Sequence, residues 1–228
     1  GGRFEEAAAA YRVLAVENPD DPDLKSQLAT ILLQMGSQDE AFTVYDELLA
    51  TPGLSGTQYF SVGVGFYQGE DYTRAAQAFG AAATASPNDR DALEFWARSL
   101  QIDSAYADIP PVAARWTALD PNNPNAHLIL AQAANQMGDQ DLTRQAITAV
   151  DQLEVQVTDL QLQRYSDGGA VISGSLVNKK MDEGTTVTIR FTFYGEDGSP
   201  MGTVTESVSV GAVDMSEIFQ MQFRSEEH

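Results

Sequence analysis

The 228-residue chain predicts a multidomain α and β protein. An N-terminal all-α helical solenoid occupies residues 1–153, and a C-terminal antiparallel β-sandwich occupies residues 154–228. Three observations predict this. Side-chain types recur every 34 residues through the first two thirds of the chain. Within each period the apolar residues fall at helical spacing, punctuated by glycine and proline. Beyond Leu153 the apolar period changes from 3.6 residues to 2.

The 34-residue step links Ala7, Ala41 and Ala75, and likewise Tyr11, Tyr45 and Phe79. It also links Ala29, Gly63, Ala97 and Ala131; Leu28, Val62, Trp96 and Leu130; Leu32, Phe66 and Leu100; and Pro87 and Pro121. A small residue recurring beside a large one lets two helices approach closely and lock a side chain into the gap.

Taken in order, GGRFEEAAAAYRVL (Gly1–Leu14) aligns with the turn and second helix of a repeat, and the matching first helix is missing. The expectation is a truncated first repeat, marking a fragment, a processed product or one side of an interface. Full units are expected near 22–53, 56–87, 90–121 and 124–153. The helical turns inside the units are MGSQD (Met35–Asp39), QGED (Gln68–Asp71) and MGDQD (Met137–Asp141). Each glycine is expected to supply the left-handed end of a helix, and the aspartate after it to cap the next. Between units, NPDDP (Asn18–Pro22), SPND (Ser86–Asp89) and DPNNPN (Asp120–Asn125) stop one helix and permit another. The third unit departs from the columns, with Ile109 and Ala113 where a small and an aromatic residue are expected. There, Pro110 and Pro111 fit only a first turn, so a longer loop over Asp103–Asp108 and a shorter second helix are expected.

The pattern resembles the tetratricopeptide repeat, most fully over Leu24–Leu49 and in outline over residues 1–153. That resemblance implies a stack of helical hairpins whose first helices line a concave, protein-binding face.

In the last third, TVTIRFTFY alternates Val187, Ile189, Phe191 and Phe193 with Thr188, Arg190, Thr192 and Tyr194. VQVTDLQLQ, AVISGSLVN, VTESVSVG and IFQMQF read as further strands. SDGG (Ser166–Gly169), EDGSP (Glu196–Pro200) and VGAVD (Val210–Asp214) separate them. Gly174, Val177 and Asn178 in VISGSLVNK, then Phe191, Phe193 and Tyr194, then F-x-M-x-F, resemble the bacterial FxLyD domain over Val155–Phe223. Gly195 stands where that motif has aspartate. The resemblance implies an immunoglobulin-like sandwich in a periplasmic or extracellular protein, membrane-anchored through a segment upstream of this chain.

The formal net charge is −20, and Lys25, Lys179 and Lys180 are the only lysines. Such acidity opposes nucleic-acid binding, which depends on cations displacing phosphate counterions. It is read first as a solvated, self-repelling surface, and otherwise as adaptation to high salt or steering toward a basic partner. No apolar run reaches the length of a membrane span. With no cysteine there is no thiolate ligand or thiol nucleophile. His127 and His228 are the only histidines, and a lone His127 at a helix start reads as structural. Asp20, Asp21, Asp23 and Asp197 lack calcium-loop spacing and read as caps and turns. GVGFYQG (Gly63–Gly69) follows no strand, which removes a phosphate-loop reading, and Gly63 already belongs to a packing column. No serine sits in a nucleophile elbow. No enzyme activity, cofactor or metal is expected, and a carbohydrate- or calcium-binding enzyme lacks a site.

By the repeat resemblance, the outward residues of the first helices are Ser26, Thr30, Leu33 and Gln34; Phe60, Val64, Tyr67 and Gln68; Glu94, Arg98 and Gln101; and Leu128, Gln132, Asn135 and Gln136. Phe60, Val64 and Tyr67 form one helical stripe. With Arg98, Leu33 and Gln132 they are the candidate partner-binding residues, unless neighbouring helices cover them as core. The truncated first repeat would expose Phe4, Ala7, Tyr11 and Leu14 as an end-docking surface. The functional expectation is a non-catalytic scaffold or accessory subunit of a bacterial envelope complex, with head-to-tail self-association as the alternative.

Overall fold

The computed structural model describes residues 2–165, 168–195 and 198–224. The chain forms two compact units, Gly1–Val112 and Ala113–His228. The first holds α1 (Gly2–Glu17), α2 (Pro22–Gln34), α3 (Gln38–Leu49), α4 (Gly56–Gln68), α5 (Tyr72–Ala85), α6 (Arg90–Ile102) and a 3-10 turn over Tyr106–Asp108. Helix α7 (Ile109–Leu119) crosses the division. In the second unit come α8 (Pro124–Gln136), α9 (Gln140–Gln152) and strands β1 (Val155–Arg164), β2 (Ala170–Asn178), β3 (Thr186–Tyr194), β4 (Pro200–Ser209) and β5 (Ser216–Phe223). No described helix is long and apolar enough to cross a membrane.

The helices begin where their caps dictate. The Asp21 side chain accepts from the backbone N–H of Asp23 and Leu24, with Pro22 in the first turn. Ser55 and Gln58 form a reciprocal capping box on α4. Asp71, Asp89, Asn123 and Asp139 cap α5, α6, α8 and α9. At α3 the cap position is Ser37, whose side chain makes no capping bond. The short α7 carries Pro110 and Pro111 in its first turn, after the loop that holds the 3-10 turn.

The repeating columns form the core of the first unit. Ala29, Leu32, Ala41, Tyr45, Val62, Phe66, Ala75 and Phe79 are all buried together. Gly63 must be small, because a Cβ there would lie 2.7 Å from the Phe79 ring. Side chains tie successive hairpins. Gln58 Nε2 donates to Asp23 Oδ1 at 3.1 Å, Gln38 Nε2 to the Gly69 carbonyl at 2.7 Å, and Thr73 Oγ1 to Asp103 at 3.0 Å.

The turns correct one expectation. Left-handed residues occur at Gly36, Glu70, Ser104 and Gly138, with φ of 80°, 64°, 62° and 77°. They are spaced 34 apart, so the conformation follows the repeat even where glycine does not. Gly69 has φ −83° and is not the left-handed residue. Its smallness serves packing, since a Cβ there would lie 2.5 Å from the Phe42 ring.

In the second unit β1, β2 and β5 form one antiparallel sheet, and β3 and β4 a second. The two share one apolar core of Val155, Val157, Ile172, Leu176, Ile189, Val210, Phe219 and Met221. Phe191 stacks on Phe219 and Phe193 on Phe223, with ring centroids 5.8 and 4.7 Å apart. The alternation read in TVTIRFTFY holds: Thr188, Arg190, Thr192 and Tyr194 are exposed, and the intervening residues face the core.

Asn178 is fully buried between the loops that follow β2 and β4. Its Nδ2 donates to the carbonyls of Met181 and Gly211, both at 2.8 Å, and its Oδ1 accepts from the N–H of Lys180 and Met181. The same end of the sheet is tied to the helices of its unit. Val157 N–H donates to the Asn122 carbonyl, and Lys179 and Lys180 N–H to that of Glu154.

Candidate protein-interaction site

In the first unit α2, α4 and α6 lie side by side and present Ser26, Thr30, Leu33, Gln34, Phe60, Val64, Tyr67, Gln68, Glu94, Arg98 and Gln101. The sequence-predicted stripe of α4 sits half-buried against the core. The Phe60 ring packs edge-on against Phe79 at 5.2 Å and Phe95 at 5.7 Å. Tyr67 meets Tyr72 at 5.2 Å and Phe95 at 5.7 Å, also edge-on. Edge-to-face contacts of this kind hold rings in fixed orientations. The three half-buried rings of Phe60, Tyr67 and Phe95 therefore make a rigid apolar platform, with part of each ring still open to solvent. Phe95 is missed by the repeat columns, since Ser61 precedes it by 34 residues; its spacing three before Arg98 is the available signal.

Arg98 is exposed at the margin of this platform, its guanidinium held by Glu94 at 2.7 Å. Glu94 also meets Arg90 at 3.3 Å. Leu33 is half-buried one hairpin away, and the Thr30 hydroxyl is engaged with the Ser26 carbonyl and Tyr45 Oη. Burial pushes the Tyr45 phenol up, against the hydrogen bond from Thr30, so it stays protonated. Ser26, Thr30, Leu33, Gln34, Phe60, Val64, Tyr67 and Gln68 include no ionisable carboxylate or cation, although the chain carries −20 overall. Gln132 and Leu128 are exposed on α8, in the second unit.

Charge gathers on α3, with Asp39, Glu40, Asp46 and Glu47, and on α6, with Arg90, Asp91, Glu94 and Arg98. Arg74 lies over the rings of Phe42 and Phe66 at 4.6 and 4.9 Å and bridges Asp71 and Asp46, both at 2.7 Å. Its hydrogen bond to Asp71 raises the guanidinium's affinity for its proton. Burial pushes the Asp71 carboxyl up, but the hydrogen bonds and charge of Arg74 together hold it below its ordinary range. The pair is a clamp between hairpins. His127 is half-buried, and burial lowers its pKa. Among the described residues no group of histidines and carboxylates could hold a metal. Asp21 is spent on its helix cap and Asp23 on Gln58, while Asp197 and His228 lie outside the described residues.

The predicted end surface divides. Ala7 and Tyr11 are half-buried, with Tyr11 against the core and Ala8 fully buried beside it. Phe4 and Leu14 remain exposed. Val13 and Val16, 57% and 80% exposed, were not predicted, yet their positions across the helix from Tyr11 could have identified them.

A tetratricopeptide-repeat family model matches residues 1–55. No curated protein matches the chain significantly. Among solved structures, MamA of AMB-1 aligns at TM-score 0.52 with 18% identity, covering 67% of this chain and 83% of its own. MamA of MSR-1 aligns at 0.51 with 17% identity, covering 67% and 87%. A further MamA crystal structure aligns at 0.52 with 15% identity, covering 67% and 84%. At these identities the likeness is one of fold: the helical region is built like a tetratricopeptide-repeat protein, followed by a small antiparallel sheet region.

Proposed function

We propose that the chain is a non-catalytic protein-interaction scaffold or accessory subunit that binds a partner on the face of α2, α4 and α6. The platform of Phe60, Tyr67 and Phe95 carries this reading. A repeat core needs only one apolar stripe per helix, and α4 already buries Val62 and Phe66. Half-exposed rings beside an arginine match the composition of interface anchors. We read the paired sheets as an immunoglobulin-like sandwich of the FxLyD kind. On that resemblance the protein belongs to a bacterial envelope complex, periplasmic or extracellular, anchored outside this chain.

The test is affinity for partners recovered from native membranes with the purified chain. Tyr67→Ala with Arg98→Ala should weaken binding at least tenfold while far-UV circular dichroism stays unchanged. Unaltered affinity in the folded double variant overturns the reading.

A second reading is self-association through α1, favoured by the exposure of Phe4, Val13, Leu14 and Val16. A monomer at high concentration by sedimentation removes it.

A further inference from the structure

We infer that the free edge of β3 takes an extended strand from a partner protein, one that carries a carboxylate opposite Arg190. The two sheets of the second unit are unequal, since β1, β2 and β5 face only β3 and β4. The spare width falls on the β3 side. β4 lies along β5, and Phe191 and Phe193 of β3 stack on Phe219 and Phe223 of β5. β3 therefore reaches from beneath β5 toward β2, and the place beside it, under the far half of β1, holds no described strand.

The side chains around that place are the uncovered part of the core. Leu162 is 45% exposed, although it pairs with the buried Ile172 and so shares its face of the sheet. Leu160, Phe191 and Phe193 are half-buried. They lie at one end of the unit: Phe193 meets Phe223, Phe223 pairs with Ala170, and Ala170 with Arg164.

The other edges carry features that oppose strand addition. On β1, Val157 already donates to the Asn122 carbonyl, and a bulge between Thr158 and Gln161 holds Asp159 at φ 54°. β4 begins at Pro200 and turns Glu206 to the core side, opposite Ile189. β5 turns Glu217 the same way, opposite the buried Leu176. β3 has no proline and no inward charge, and among the described residues β4 is the one strand it pairs with.

Charge selects the occupant. Arg190 is exposed at the middle of β3, between Thr188 and Thr192 and opposite Thr205. No described acid pairs with it, and the outward residues of β3 and β4 include no carboxylate. A carboxylate across from Arg190 in an added strand stabilises the pairing. A second copy of β3 would bring a second arginine to the same patch, and two chains of −20 repel. The occupant's alternate apolar residues would cover Leu162 and Phe193.

The experiment pans a phage-displayed library of random dodecapeptides against the full chain. Enriched peptides are titrated by fluorescence anisotropy and followed by residue-resolved amide hydrogen exchange. Expected are peptides that alternate apolar and polar residues, with an Asp or Glu in the polar set. Arg190→Glu should weaken them roughly tenfold, as an opposed charge pair becomes a like pair, with the melting temperature unchanged. Arg190→Lys should retain most of the binding. N-methylation should abolish binding at alternate peptide positions and be tolerated between them, because an added strand bonds along one edge. The bound peptide should slow exchange at alternate amides of Thr186–Tyr194. Protection gained on β1, β4, β5 or the helices instead overturns the inference. Indifference to Arg190→Glu, or failure to enrich any peptide, does the same. A dimer of the chain alone that protects these β3 amides replaces the partner strand by a second copy and overturns it too.

Discussion

Two adjacent residues in one turn should respond in opposite directions to substitution. Glu70 is held at φ 64° and Gly69 at φ −83°. An L residue in the left-handed region costs about 1–2 kcal/mol. Glu70→Gly removes that cost but loosens the unfolded chain by about 0.4–1 kcal/mol. The side chain of Glu70 is exposed and nothing else is lost, so a net gain of about 0.5–1 kcal/mol is expected. Gly69→Ala needs no unusual backbone. Its Cβ, however, would lie 2.5 Å from the Phe42 ring. That ring cannot yield freely, since Arg74 covers it at 4.6 Å and Phe66 meets it at 5.4 Å. Overpacking of this kind costs about 1–3 kcal/mol. Urea unfolding followed by the fluorescence of Trp96 and Trp116, both on helices, measures both variants. Circular dichroism in parallel checks that the transition is two-state. A loss of stability in Glu70→Gly, or a neutral Gly69→Ala, refutes the argument that the repeat places the left-handed residue at 70.

Asn178→Ala should cost about 3–5 kcal/mol, four hydrogen bonds at about 1 kcal/mol each with partly unsatisfied backbone left behind. Hydrogen exchange should show lost protection at Met181 and Asp214, and retained protection there removes Asn178 as the link between the two loops. His127 has a lowered pKa when folded, so the unfolded chain binds its proton first as pH falls. The stability from keeping it neutral is complete above about pH 6.5 and declines below it. Thermal midpoints between pH 7.5 and 5.5 should fall further in the parent than in His127→Asn, and equal slopes refute the assignment.

The sequence alone determined where the helices and strands lie and which residues pack. The 34-residue columns named Ala29, Gly63, Phe66 and Phe79, and the period of two named Ile189 and Phe191. These are local signals: a helix or strand shows its buried face through the spacing of its own apolar residues. Asn178 was legible only as part of a motif: three of its four side-chain bonds are local, to Lys180 and Met181, but the fourth, to the Gly211 carbonyl, joins a loop 33 residues away. The tertiary structure decided the rest. Gly69 and Gly36 both sit in a turn between helices, but the 34-residue register pairs Gly36 with Glu70; what only packing reveals is that Gly69 is small to avoid the Phe42 ring. Phe60 and Tyr67 could be core or surface by spacing. Only the arrival of Phe95 from the next hairpin makes them a half-covered platform. On α1 the same geometry assigns Tyr11 to the core and leaves Val13 and Val16 bare, because the direction from which α2 approaches is a property of packing between helices.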